Sequence, residues 1–298
     1  MTNTAQGPFL VTGASGQLGG RAVELLLDAG AGPLIATTRS ADKLADFAGR
    51  GVDVRAADFN DPSGLGKAFA GAKRLLIIST DDLVAGKRLA AHAHAIDAAV
   101  AAGIEHIVYT SLTNPTEDSP IAFSVDHRDT EAKLADCGIP HTILRNNLYT
   151  DLFMMSAPQA IGMGKLFAAA GEGATGYVTR EDCARAAVAA LLTETETKTY
   201  DITGPALVSH KELAAIFSEI SGTEIPYIPI SVEDLRKAMI DNGLPEFMAD
   251  VFSSFDAAIA KGFFAEATNT VEALTGEAPT SVRDFLMSNK AALLATGN

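Results

Sequence analysis

The chain has 298 residues, 47% of them apolar and 20% charged, and 23 Lys and Arg against 37 Asp and Glu give a net charge of −14. That length accommodates one large or two modest domains, and the acidic total without any basic block argues against a nucleic-acid footprint or an anionic membrane surface. Cys137 and Cys183 are too few and too scattered for a disulfide framework or a thiolate zinc site, which fits a reducing, cytoplasmic compartment.

Residues 1–20 contain no Lys or Arg, so a secretory leader is not expected. Short β-rich runs then alternate with helical stretches, the pattern of βαβ units feeding a parallel sheet. Strands are predicted over residues 9–12, 34–38, 52–56, 74–79 and 106–111, separated by helices over 18–28, 41–49, 62–69 and a long alanine-rich stretch ending at Gly103. In that stretch Arg88, His92, His94 and Asp97 interrupt the apolar run well short of about 18 residues, which predicts a core helix and no membrane span. A helix over 126–137 stops at Gly138 and Pro140, and a sixth strand covers 141–145. Residues 151–176 lack periodicity and carry Gly162, Gly164, Gly171 and Gly173, so they read as loop with a short helix. A helix over 180–192 and a strand over 199–203 follow. Beyond Gly204 the chain turns helical, over 209–221, 231–242, 245–261 and 282–289. The fold class is therefore α/β, with a doubly wound parallel sheet.

The strongest local signal is Gly13-Ala14-Ser15-Gly16-Gln17-Leu18-Gly19, three glycines at three-residue spacing between a strand and a helix. One glycine permits the tight turn, a second lets the backbone approach a pyrophosphate, and a third lets the helix pack on the sheet. The helix N-terminus adds unpaired N–H groups, so this is a dinucleotide site. Where an Asp or Glu would bond an NAD ribose, the second strand ends in Arg39. A guanidinium there suits a 2′-phosphate, which favours NADPH and leaves NADH open as a second donor. After the third strand, Asp58 and Phe59 are placed to bond an adenine amino group and stack on its ring, unless Asp58 is only a helix cap.

With Tyr109-Thr110-Ser111 and Leu144-Arg145-Asn146-Asn147-Leu148-Tyr149, these residues resemble the atypical short-chain dehydrogenase/reductases, within them the NmrA-like branch. The resemblance extends through Ala170-Gly171-Glu172-Gly173, Tyr200-Asp201-Ile202-Thr203-Gly204 and residues 243–262, and is greatest to type 2 NAD(P)H:quinone oxidoreductases and triphenylmethane reductases. It implies a Rossmann-type domain over residues 1–150, to which 177–204 return, and a smaller, mainly helical C-terminal substrate lobe from 151–176 and 205–298. It also implies that Ser79 and Thr80 run beside the cofactor and that Thr110 and Ser111 lie near the nicotinamide.

Most short-chain dehydrogenases use a Tyr-x-x-x-Lys pair. Four residues after Tyr109, Tyr149, Tyr177, Tyr200 and Tyr227 stand Thr113, Phe153, Glu181, Gly204 and Ser231, so the chain has no such pair. By the family's spacing from Gly138, its Tyr and Lys positions fall on Phe123 and His127. A ketone would yield an alkoxide with a conjugate-acid pKa near 15.7, judged by water, whereas a quinone yields a phenolate near 10. The difference, about 8 kcal/mol at 1.36 kcal/mol per unit, removes most of the need for a tyrosine acid. A quinone or similar conjugated aromatic acceptor is therefore the expected substrate.

His127 is a candidate proton or hydrogen-bond donor, the alternative being a residue that only positions the cofactor. Asn146 and Tyr149 are candidates to orient the acceptor oxygen, with turn chemistry as the alternative. Phe153, Met154 and Met155 would supply an apolar wall. His92 and His94, two apart on a helix, cannot easily share an ion, and no metal is expected. A non-catalytic NADP(H)-binding redox sensor acting through a protein partner remains the competing reading, and the C-terminal helices are candidates for a homodimer interface.

Overall fold

The structure is a computed structural model and describes residues 6–84 and 86–295. Its elements run in chain order as β1 (Phe9–Val11), α1 (Gln17–Asp28), β2 (Leu34–Thr38), α2 (Ala45–Gly49), β3 (Asp53–Ala56), α3 (Leu65–Phe69), β4 (Arg74–Ile77) and α4 (Lys87–Ala102). They continue as β5 (His106–Leu112), α5 (Ser124–Asp136), β6 (His141–Asn146), α6 (Phe153–Met163), β7 (Leu166–Ala168), β8 (Ala174–Thr175), α7 (Arg180–Thr193) and β9 (Lys198–Ile202). The last are β10 (Val208–Ser209), α8 (His210–Ser221), β11 (Tyr227–Pro229), α9 (Val232–Asp241), α10 (Glu246–Ala260), α11 (Thr270–Thr275), α12 (Val282–Ser288) and α13 (Lys290–Ala295).

Seven strands form one parallel sheet in the order β3-β2-β1-β4-β5-β6-β9. This is the doubly wound Rossmann-type architecture anticipated above, and the strand order reverses between β1 and β4. Alternation along β5 divides the core. Val108 packs with Leu76, Leu144 and the alanine-rich inner face of α7, whereas Ile107 and Tyr109 pack with Leu75, Ile96 and Leu134 on the opposite face. A third core joins Phe217, Ile220, Ile259, Phe264 and Leu286 from the C-terminal helices to Ile121, Phe123 and Leu148.

Helix α1 follows from its apolar stripe, Leu18, Ala22, Val23 and Leu26, all buried. Its contact with the sheet is close because of Gly19, where a Cβ would lie 2.4 Å from the Gly13 carbonyl oxygen. Helix α7 ends against the sheet on a buried cation: Arg74 Nε donates to the Leu191 carbonyl at 2.6 Å, and its guanidinium also donates to the Glu194 carbonyl. Such a cation offsets the helix's unpaired terminal carbonyls.

The structure contains the helix expected within residues 151–176 and corrects the loop expected around it. After a 3₁₀ turn at Thr150–Leu152, α6 is a regular 11-residue helix that buries Ala157 and Ala160 and ends at the left-handed Gly164. Pro158 and the glycines dilute the local helical signal, and tertiary packing supplies what propensity lacks. The following chain is likewise structured, β7 pairing in parallel with β11 and β8 antiparallel with β10. Helix α11, also absent from the predicted elements, packs Val271 into the core beside α7.

Candidate functional site

At the reversal point a cavity of about 460 Å³ opens over the carboxyl ends of β1, β2, β3 and β4. Its floor is the turn after β1. Gly13 adopts φ +61, a left-handed conformation that a side chain would strain, and its carbonyl accepts from the Gly16 amide at 2.9 Å. Gly16 is the N-cap of α1 with no side-chain cap, and the first turn of α1 carries no acidic residue. The helix N-terminus is thus available to an anion.

Arg39 and Lys43 line the β2 side of this cavity, Asp58 and Phe59 the β3 side, and Ser79 and Thr80 the β4 side. Arg39 is exposed and forms no ion pair among the described residues. Ser15 Oγ and Thr38 Oγ1 are 2.7 Å apart, which ties the glycine turn to the end of β2. The Asp58 carboxylate accepts from the Asn60 amide at 2.9 Å, so the cap reading of Asp58 has a real partner, yet the residue still borders the cavity. Buried Thr80 Oγ1 has no protein partner. An uncapped helix N-terminus, an orphan hydroxyl and two cations, Arg39 and Lys43, that form no ion pair among the described residues fit a phosphorylated dinucleotide.

Other predicted site residues lie outside this cavity. Leu18 and Gly19 serve the packing of α1 on the sheet, and Gln17 is the first residue of the helix. Thr110 Oγ1 accepts from the Ser79 amide at 2.9 Å and so acts on the cofactor-side loop from below. Ser111 Oγ donates to Glu131 at 2.6 Å, and Glu131 also takes a two-point bond from Arg145 at 3.1 and 2.6 Å. Ser111 is thereby committed within the protein.

The sheet separates the three residues expected to act on the acceptor. Asn146 lies on the α7 face, where its Nδ2 donates to Tyr149 Oη at 3.2 Å while its buried Oδ1 has no partner. Arg180 stacks 4.7 Å over the Tyr149 ring, and burial pushes the Tyr149 hydroxyl well above its ordinary pKa. His127 lies on the other face, 4% exposed, with Nδ1 2.8 Å from Tyr109 Oη and Nε2 3.4 Å from Arg88. Burial, reinforced by Arg88 and His92, pushes His127 far below the usual imidazole range, so it is neutral. The apolar wall is also smaller than expected. Phe153 packs edge-on against Tyr177 at 4.9 Å, but Met155 is 79% exposed, pointing away as the helical repeat dictates.

The sequence reading missed the polar residues beneath the cofactor-side loop. His92 accepts from the Thr80 amide at 3.0 Å, and both carboxylate oxygens of Asp126 lie 3.1 Å from the Gly86 amide. The available signal was helical spacing: Arg88 and His92 are four apart on α4, and His127 and Thr130 three apart on α5, so each pair shares a face.

A parallel sheet in this order, with a glycine turn and an uncapped helix at the reversal point, defines a dinucleotide-binding α/β protein. The chain belongs to the NmrA-like family, whose pattern matches residues 6–286. It is 35% identical to quinone oxidoreductase 2 of Escherichia coli over 92% of this chain and 96% of that one. The structure of the NADPH-dependent quinone oxidoreductase of that organism, complexed with NADPH, matches with a TM-score of 0.89 and 34% identity over 94% of this chain and 99% of the other. Triphenylmethane reductase from Citrobacter sp., complexed with NADP(H), matches with a TM-score of 0.88 and 35% identity, again over 94% and 99%. No helix among the described residues is long and apolar enough to cross a membrane.

Proposed function

We propose that the chain is an NADPH-dependent reductase that transfers hydride to a quinone or a similar conjugated aromatic acceptor without a Tyr-x-x-x-Lys dyad. The observation that carries this reading is the cavity at the sheet's reversal point, with Arg39 and Lys43 on the wall where an NAD-specific site would place a carboxylate. The similarity to an NADPH-dependent quinone oxidoreductase across nearly the whole of both chains supports the acceptor class.

NADPH, when bound, supplies the hydride. The residues of this chain bind and orient. The α1 N-terminus holds the pyrophosphate, Arg39 the 2′-phosphate, and Asp58 with Phe59 the adenine. Thr110 supports Ser79 in the wall. Tyr149 accepts from Asn146 and keeps its own proton free, which makes it the hydroxyl available to donate to an acceptor oxygen. His127 positions and does not protonate, because it is neutral and buried between Arg88 and Tyr109. A phenolate product, about 8 kcal/mol less basic than an alkoxide by the estimate above, leaves orientation as the main source of rate.

The test is NADPH oxidation followed with simple benzoquinones and naphthoquinones. Turnover is expected with wild type, and Arg39→Asp is expected to weaken NADPH by about tenfold to a hundredfold while sparing NADH, the loss of one charge-assisted phosphate contact. NADPH binding without consumption of any acceptor would replace this reading by that of a redox sensor.

A further inference from the structure

We propose that His92 is a positioning residue for the cofactor-side loop: held as its Nδ1–H tautomer by Tyr109 and Thr130, it grips the Thr80 amide and keeps residues 79–82 in the cavity wall. The cofactor half of this statement rests on the NADPH reading above; the hydrogen-bond half does not.

The segment between β4 and α4 lines the cavity through Ser79, Thr80, Asp81 and Asp82 yet has no ladder of its own. Side chains therefore take its amides. Ile78 N–H donates to Thr12 Oγ1 at 3.0 Å, Ser79 N–H to Thr110 Oγ1 at 2.9 Å, Thr80 N–H to His92 Nε2 at 3.0 Å and Gly86 N–H to the Asp126 carboxylate. Three of these acceptors belong to types that always carry a lone pair. A neutral imidazole does so on only one nitrogen, and which one must be set by its surroundings.

Two groups that cannot accept fix the directions. A backbone amide only donates, so His92 Nε2 is bare and its proton sits on Nδ1, 3.1 Å from Thr130 Oγ1 and 3.3 Å from Tyr109 Oη. Thr130 donates its own proton to the Asp126 carbonyl at 2.6 Å, which leaves its lone pairs free to accept. On the other side a guanidinium only donates, so Arg88 sets His127 Nε2 bare and its Nδ1–H towards Tyr109 Oη at 2.8 Å. Tyr109 Oη thus lies between two imidazole donors. Every member is buried: His92 and Tyr109 are fully inaccessible, and Arg88 is 5% exposed.

The charged groups that face His92 agree with a neutral ring. Arg88, on the same helix, opposes its protonation, and burial is the larger cause of a pKa pushed down to about 3. From α5, Asp126 turns its carboxylate to Gly86, and His127 is itself neutral. A leucine would fill much of this space but make no bond to Thr130, Tyr109 or Thr80. Without an acceptor for the Thr80 amide, which is partly shielded from water, the loop loses a hold that solvent does not fully replace.

The experiment uses the full chain. NADPH affinity is measured by fluorescence titration for wild type, His92→Leu and His92→Gln. Leu is expected to raise the NADPH Kd at least tenfold while turnover at saturating NADPH falls less than threefold, and Gln, which restores an acceptor oxygen, to bind within threefold of wild type. Equal weakening in Leu and Gln, or wild-type affinity in Leu, would overturn the proposal. Because Leu risks misfolding, the tautomer is also read directly, without cofactor, from ¹⁵N chemical shifts of the unsubstituted protein near pH 7. A protonated Nδ1 on His92 supports the assignment, and a protonated Nε2 sinks it. Failure of wild type to bind NADPH would instead remove the functional reading, while the tautomer measurement would still decide the assignment.

Discussion

The two sides of the cavity at the sheet's reversal point are built from different materials. The β1 side is backbone: a left-handed glycine, an uncapped helix N-terminus and a glycine that lets α1 approach the sheet. The β4 side is a loop whose amides are held by Thr12, Thr110, His92 and Asp126, with Tyr109, His127, Thr130 and Arg88 packed around the histidine. A backbone site needs the absence of side chains and is indifferent to pH. A side-chain site needs particular side chains in particular protonation states. The comparison predicts that the two sides fail under different perturbations.

The largest effect is expected on the backbone side. In Gly19→Val the new Cβ would sit 2.4 Å from the Gly13 carbonyl oxygen, so backbone must move. The cost lies at the upper end of overpacking, about 3 kcal/mol or more, and NADPH affinity should fall at least a hundredfold because the turn and the helix N-terminus shift together. Denaturant unfolding and a binding titration check both numbers. Equal stability in variant and wild type would show that the close approach is not needed.

The side-chain half is expected to fail in acid. His92, pushed down to about 3, and His127, held far below its ordinary value, stay neutral in the folded protein, whereas the same residues titrate near 6.5 when unfolded. Below pH 6.5 the unfolded chain therefore binds protons that the folded chain refuses, and stability falls as pH falls. At 1.36 kcal/mol per unit, the two together cost about 2.7 kcal/mol at pH 5.5 relative to pH 7.5. Urea midpoints across this range measure it, and the double variant His92→Gln, His127→Gln should make the slope shallower by that amount, the remainder coming from His106 and His210, which burial also holds below the ordinary imidazole range.

These differences also decide what the sequence discloses. The phosphate turn is legible because all its parts lie within nine residues, and the strand series because each strand is a local apolar run. Arg39 is legible because it follows β2 at a position fixed by the motif. The group around His92 is not, because its members come from α4, β5 and α5 and meet only through two crossovers. Judged alone, His92 and His94 are merely two histidines on different helix faces: His94 Nδ1 bonds the Phe59 carbonyl at 2.7 Å, while His92 turns inward. Helix α6 was legible only as a short helix without bounds for the opposite reason, since its local sequence carries Pro158 and its stability comes from packing. The separation of His127 from Asn146 and Tyr149 follows from the pleat, as Tyr109 and Thr110 face opposite sides of β5 and carry their neighbours with them.

That pleat sets the smallest prediction, which sharpens the comparison at the far end of the site. Tyr149 stands on the α7 face with Asn146, across the sheet from the group around His92. Its hydroxyl accepts one bond from Asn146 Nδ2 and keeps one proton to give, so Tyr149→Phe removes a single neutral donor from the acceptor and a single acceptor from Asn146. Each neutral bond contributes about 1 kcal/mol. Turnover with a naphthoquinone, as kcat/KM, should fall about fivefold to tenfold, the NADPH Kd should stay within twofold, and stability should drop by about 1 kcal/mol. A loss of several orders of magnitude would make Tyr149 the acid that a phenolate product was argued to render dispensable. An unchanged kcat/KM would confine Tyr149 to its packing against Arg180 and its bond from Asn146.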